Sequence, residues 1–263
     1  MKYRETVSGT FIDRPNRFIA EVSLDGRPVR CHVKNTGRCR EILIPGARVV
    51  LSVSSDPARK TSFDLVAVYK GDTLINIDSQ APNAVVKESF ERIVGRCDSV
   101  TPEHTVGESR FDFCARSGDR DIVLEVKGVT LEDRGLAMFP DAPTERGLKH
   151  VRELTRLAGE GRECWLVFVV QLRPVRSVIP NHSTDPEFGR ACAAAVEAGV
   201  RIVAYDCSVT EDSMVLGERV PFGLHQTRAV LFLLSGSFSR ISAIYAEYVF
   251  SASSWSRIIC IRM

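Results

Sequence analysis

The cadence of the first third of the chain constrains its fold more than any other feature. From Val7 to about Asp78, short segments of β-branched and aromatic residues recur at intervals of about ten residues: Val7 to Ile12, Phe18 to Leu24, Val29 to Val33, Arg48 to Val53, Phe63 to Tyr69 and Thr73 to Ile77. Turn chemistry separates them, at Arg14-Pro15-Asn16, Asp25-Gly26, Thr36-Gly37, Pro45-Gly46, Asp56-Pro57 and Lys70-Gly71-Asp72. No helix-period segment interrupts the series. Many short strands with regular turns predict a small barrel or sandwich.

The grammar changes near Ala81-Pro82-Asn83. Asn83 is placed to cap a helix running to about Val94, with Val85, Val86, Phe90 and Val94 on one side. Two strands follow, Ser109 to Ala115 and Asp121 to Lys127, then a shorter hairpin turning at Asp133-Arg134-Gly135. Thr144 opens a helix carrying Leu148, Val151, Leu154 and Leu157, and Trp165 to Leu172 reads as a strand buried on both faces. Asp185-Pro186 opens another helix, and Arg201 to Tyr205 is a further strand. The expected organisation is a barrel over 1–82, a mixed α/β domain over 83–222, and a compositionally different tail over 223–263 to which no function is assigned.

Composition narrows the class. Of 263 residues, 44% are hydrophobic and 26% charged, which excludes a wholly disordered or collagen-like chain. Net charge is only +2, so no global basicity points to a polyanionic partner, although 28 Arg stand against 7 Lys. Eight cysteines are scattered without a CxxC pair, and the N-terminus opens no apolar signal segment. Free thiols in a reducing cytoplasm are the expectation. No apolar run approaches the roughly 18 residues of a spanning helix, so no membrane is expected. Oligomeric state is not legible.

The chemistry concentrates at a hairpin around Ser117-Gly118-Asp119-Arg120. With that loop, cross-strand partners place Asp112 opposite Glu125, and Arg110, Asp112 and Cys114 share a face with Val123, Glu125 and Lys127. Phe111, Phe113, Ile122, Leu124 and Val126 would form an apolar back face. Directly opposed carboxylates repel, and a hard divalent cation, Mg²⁺ or Mn²⁺, relieves that penalty. Lys127, two residues from Glu125, could orient a water or offset charge on a phosphate. Acid, then acid-x-lysine, on adjacent strands is therefore a phosphodiester-hydrolysis arrangement, and Gly128 would leave room beside it. The same Glu-Val-Lys alternation also occurs on ordinary solvated strands.

Four segments carry a resemblance: His32-Val33-Lys34-Asn35-Thr36-Gly37-Arg38-Cys39, Asn76-Ile77-Asp78-Ser79-Gln80-Ala81-Pro82-Asn83, Glu125-Val126-Lys127-Gly128-Val129-Thr130-Leu131, and Phe139-Pro140-Asp141-Ala142-Pro143-Thr144-Glu145-Arg146-Gly147. From about Phe11 to Pro221 the chain resembles the sugar fermentation stimulation protein A family. That likeness implies an α/β (α+β) protein with an N-terminal OB-like β-barrel followed by a PD-(D/E)XK nuclease-like mixed-sheet domain. It further implies DNA binding and a regulatory link to maltose and sugar metabolism in bacteria.

On that pattern Asp112 matches the first acid of the nuclease motif, and Glu125 and Lys127 its second half. The preceding helix would supply a third metal-binding acid, Glu88, with Glu91 in reserve. Phe111 stands where the motif has Pro, and Pro140-Asp141 lacks a following acid-x-Lys. Nucleic-acid contacts are expected from Arg14, Arg17, Lys34, Arg38 and Lys60 on the barrel, and from Arg146, Lys149 and His150 at a helix N-terminus. Scattered basic turns and an ordinary capped helix would look the same. The function classes left open are a Mg²⁺-dependent phosphodiesterase acting on DNA (single- or double-stranded) or RNA, a non-catalytic DNA-binding regulator of sugar-metabolism genes, and a binder of a nucleotide or sugar phosphate.

Overall fold

A computed structural model describes residues 1–224 except Thr36 and Pro57. The tail beyond Leu224, with the apolar run at Ala229 to Leu234, lies outside the described residues.

The N-terminal lobe contains β1 (Thr6–Asn16), β2 (Ile19–Leu24), β3 (Arg27–His32), β4 (Arg48–Val53), β5 (Phe63–Lys70) and β6 (Thr73–Asn76). Their order is β3-β2-β1-β4-β5-β6, and a parallel pairing of β3 with β5 closes five of them into an OB-like barrel. Two register shifts in β1, between Phe11 and Asp13 and between Asp13 and Asn16, bend the strand as closure requires. The β2–β3 turn holds Asp25 at φ 51° and Gly26 at φ 79°, a pair of left-handed residues that matches the twist of the flanking strands. Phe11, Ala20, Val22, Val49, Leu51 and Leu65 fill the interior. The turn read at Arg14-Pro15-Asn16 is instead the end of β1; the chain reverses at Arg17-Phe18, where the Asn16 side chain accepts the Phe18 and Ile19 amides.

The second lobe begins with α1 (Ala81–Glu88) and α2 (Phe90–Val94), two short helices rather than one. Asn83 does not cap: Gln80 occupies the N-cap without a side-chain bond, and Pro82, favoured in the first turn, puts Asn83 inside the helix. Then follow β7 (Ser99–Val106), β8 (Ser109–Ser117), β9 (Arg120–Val129), β10 (Glu132–Asp133), β11 (Leu136–Phe139), α3 (Glu145–Gly159), β12 (Glu163–Val170), β13 (Ser177–Pro180), α4 (Pro186–Glu197), β14 (Arg201–Val209) and β15 (Met214–Val220). A six-stranded mixed sheet runs β15-β14-β12-β9-β8-β7, parallel at β9–β12–β14 and antiparallel outside it. On one face lie α1 and α2, with Val85, Phe90, Phe113, Leu124 and Val167. On the other lies α3, with Val123, Val151, Leu154, Leu166 and Phe168. Thr144 caps α3 through its hydroxyl on the Gly147 amide, and Asp185 caps α4 on the Phe188 amide, both as the sequence predicts.

The two lobes form one compact unit. Tyr3 donates its amide to Asp212, Lys2 bridges to Ser213, and the Asn76 amide donates to the Gln171 carbonyl at 2.9 Å. No helix among the described residues is long and apolar enough to cross a membrane.

Candidate active site at the end of the central strand

β9 lies in the middle of the sheet and is buried along both faces, so its polar residues Glu125 and Lys127 are exceptions that need partners. Glu125 is 3% exposed. Lys127 Nζ donates to Glu125 Oε1 at 2.5 Å, and Nδ1–H of His150, from the second turn of α3, donates to the same oxygen. Burial pushes the Glu125 pKa up, but the hydrogen bond from His150 and the charge of Lys127 outweigh it and hold the carboxyl below its usual range. Glu125 Oε2 is buried and accepts nothing among the described residues.

Asp112 sits half-buried on β8. The β8–β9 ladder follows the expected register from Ser117↔Arg120 to Phe113↔Leu124 and ends there, one pair short of Asp112 and Glu125. Asp112 instead accepts the Val126 amide on Oδ2 at 2.8 Å and the Asn83 side-chain amide on Oδ1 at 2.8 Å. Burial first, and the neighbouring Glu125 charge second, raise its pKa.

The expected division into one apolar and one charged face is corrected. Phe111 packs on His150 at the α3 face, whereas Phe113 packs on Phe90 at the other. Beyond the last ladder pair the strand no longer alternates against the same neighbours. Gly128 does not leave open room either. A Cβ there would stand 2.5 Å from Gln171 Oε1 and 2.9 Å from Pro82 Cγ, so glycine is needed for close packing.

Glu88, the expected third ligand, makes its contact elsewhere. Its carboxylate is solvent-exposed and pairs with the Met1 ammonium at 2.6 Å. Glu91 is also exposed, and no group of three or more His, Cys, Asp and Glu side chains converges as a metal cluster among the described residues. What the site offers is two carboxylates, one with an orphaned buried oxygen. That donor set fits a hard divalent cation that keeps most of its own waters.

His150, read as a surface contact, is 5% exposed. It shares the inward stripe of α3 with Leu154 and Leu157, and that spacing was its one sequence signal. Asn83 carried none beyond its helical position. Arg14 is also structural: its guanidinium donates to the carbonyls of Arg17, Asn35, Gly37 and Arg38. Lys34 is committed to Asp64 and Asp78 at 3.4 and 3.3 Å. By contrast Arg17, Arg38, Lys60 and Arg146 are exposed and make no ion pair among the described residues, and exposed Lys149 touches only the Glu108 carbonyl. Arg17 and Arg38, with Arg40, which the sequence reading missed, line a groove of about 640 Å³ beside the barrel; Phe18, next in sequence to Arg17, is 52% exposed.

A smaller cleft of about 230 Å³ lies between the lobes, lined by Asn35, Gly37, Ser79, the end of β9 at Gly128–Thr130, the Met138–Ala142 segment, Thr144 and Gln171. All four signature segments of the sequence therefore meet around it and the Glu125 cluster.

An OB-type barrel joined to a mixed-sheet lobe, with a carboxylate–lysine–histidine cluster where the central strand reaches the inter-lobe cleft, defines a two-lobed α/β class of protein. Two family models divide the chain at the same place: the "SfsA N-terminal OB domain" matches residues 12–77 and the "Sugar fermentation stimulation protein RE domain" residues 80–213. A sugar fermentation stimulation protein homolog of Desulfitobacterium hafniense is 49% identical over 221 residues, covering 84% of this chain and 97% of that protein. One from Clostridium beijerinckii is 48% identical over 222 residues, covering 84% and 98%. The structure of Pyrococcus furiosus SfsA in complex with Ca²⁺ aligns with a TM-score of 0.77 at 27% identity, covering 85% of this chain and 98% of that one. The chain belongs to the sugar fermentation stimulation protein family.

Proposed function

We propose that the chain is a nucleic-acid-binding protein whose second lobe, of PD-(D/E)XK nuclease type, is a phosphodiesterase dependent on Mg²⁺ or Mn²⁺. The observation that carries this reading is the buried Glu125 carboxylate, with Oε2 unpartnered, beside an Asp112 whose ionisation it opposes. Such a pair is costly in isolation and suits a shared cation. The P. furiosus relative is described in complex with Ca²⁺, an ion that takes oxygen ligands as Mg²⁺ does.

Asp112 and Glu125 would hold the cation, which when bound supplies an acidified water and a counter-charge for a phosphate oxygen. Lys127 stands 2.5 Å from Glu125 and is the group to orient that water or neutralise the transition state. His150 fixes Glu125 from behind, and Asn83 with the Val126 amide fixes Asp112. Arg17, Arg38 and Arg40 would take phosphates along the barrel groove, with Lys60, Arg146 and Lys149 as further contacts. This reading puts the chain in the bacterial cytoplasm, in keeping with seven described cysteines that are all free.

A second reading, a non-catalytic DNA-binding regulator of sugar-metabolism genes, is favoured by one observation. Lys127 and His150 already satisfy Glu125 Oε1, and no third acid among the described residues joins them in a metal cluster. The test incubates single- and double-stranded DNA and RNA with Mg²⁺ or Mn²⁺, comparing wild type with Asp112→Asn and Lys127→Ala. Metal-dependent scission lost in both variants is the expected result. Tight binding without scission by any of the three proteins would give the regulator.

A further inference from the structure

We infer that the inter-lobe cleft is a pocket for one unpaired base of a bound strand, read through Gln171. The inference rests on the nucleic-acid reading above. Gln171 is 2% exposed, at the end of β12. Its Nε2 lies 3.0 Å from the Asn76 carbonyl, 3.1 Å from Asn76 Oδ1 and 3.1 Å from the Asp78 carbonyl. Three acceptors around one atom fix the orientation of the amide, because the flipped group would set oxygen against oxygen. Oε1 must then face Gly128 and the cleft, where it accepts no hydrogen bond from any described residue. An acceptor held in one direction, open to the cleft and without a donor among the described residues, is presented to a donor on a ligand.

The walls narrow the ligand class. Val129, Met138, Phe139 and Pro140 present apolar surface, and Gln171 Oε1 with the exposed Asp141 carboxylate adds acceptors. A flat group with apolar faces and N–H donors on its edge satisfies both, and about 230 Å³ accommodates one nucleobase rather than a stacked pair. Gly37 and Ala142 line both this cleft and the groove of Arg17, Arg38 and Arg40. Phosphates in the groove thus lead past a shared wall to the base pocket. Gly128, on that pocket's floor, adjoins Lys127 in sequence, so the pocket selects which nucleotide is presented to the phosphodiester site.

The full chain in EDTA is titrated with short single-stranded oligonucleotides carrying one 2-aminopurine, whose emission rises when the base leaves its stack. Anisotropy reports strand binding independently. Wild type is expected to bind with an emission rise at one position, and to bind about tenfold more weakly when unsubstituted purine, which lacks the amino donor, replaces it there. Gln171→Leu is expected to lose that preference; because its Nε2 also joins the lobes, thermal unfolding checks its fold. Ser79→Trp fills the cleft from the barrel side and keeps the Gln171 side chain itself, and is expected to bind the strand with no emission rise. Strand binding by wild type without emission change at any position, or an unchanged rise in Ser79→Trp, overturns the pocket and leaves the nucleic-acid reading standing. No strand binding overturns both, and binding of free adenosine alone would reassign the cleft to a small ligand.

Discussion

Asp112 and Glu125 are both acids on neighbouring strands, yet their surroundings shift their pKa values in opposite directions. Glu125, held below its ordinary 4.5, contributes stability that is present above that pH and lost as pH falls through the lower folded value. Asp112, held above 3.8, is penalised when ionised, so its contribution worsens as pH rises past 3.8. In EDTA at neutral pH, Asp112→Asn should therefore melt higher than wild type, by about 2–4 °C for about 1 kcal/mol of relieved repulsion. Asn can keep both bonds, accepting the Val126 amide and donating to a flipped Asn83. Saturating Mg²⁺ should invert the order, adding about 2.7 kcal/mol to wild type alone at a hundredfold excess over Kd, read by calorimetry. Glu125→Gln should instead cost about 3–5 kcal/mol at neutral pH, because it strands Lys127 and His150. In urea titrations that gap should close as pH falls below 4.5. Residue identity was legible here and commitment was not. Asp112, Glu125 and Lys127 could be named from a spacing, but the partners that make Arg14 and Lys34 structural, or draw His150 inward, come from distant segments.

Single elements were read best where local chemistry decides them. Thr144 and Asp185 each announce a helix start, and both cap as read. They differ in one respect: Asp185 also accepts the Thr144 amide on Oδ2 at 3.1 Å, so one carboxylate serves the starts of α3 and α4. Thr144→Ala should then cost about 1 kcal/mol, whereas Asp185→Ala should cost about 2 kcal/mol or more, since it also orphans a second amide. Chemical denaturation of the two variants against wild type checks the ranking. Elements missed were those whose signal is tertiary. β7 is an exposed edge strand interrupted by Pro102 and by Glu103 at φ 51°, with no alternation to read. β15 contains Gly217, whose missing side chain is filled by Asp206 of the neighbouring strand. The α1–α2 break falls at Ser89, a lone serine with no Gly or Pro beside it to strengthen the signal.

At the scale of the whole molecule, the order barrel-then-mixed-sheet was legible because strand cadence and helix periodicity differ along the chain. The closeness of the two lobes was not, since it depends on Gln171, Tyr3 and Lys70 finding partners in the other lobe. That closeness decides which basic residues remain for a polyanion. Arg17, Arg38 and Arg40 border the groove without an ion pair among the described residues, while Arg14, beside them, spends its guanidinium on four backbone carbonyls. Affinity for single-stranded nucleic acid should fall with salt, and each of Arg17→Ala, Arg38→Ala and Arg40→Ala should reduce the slope of log K against log salt by about 0.7 for every phosphate it leaves without a counter-charge. Arg14→Ala should leave the slope near the wild-type value but lower the unfolding free energy by about 1–3 kcal/mol, as the carbonyls of Asn35, Gly37 and Arg38 lose their donor. Anisotropy titrations over a salt series, paired with urea denaturation of the same four proteins, separate the two behaviours. A slope that responds to Arg14 and ignores the other three would mean that the strand takes another path across the surface.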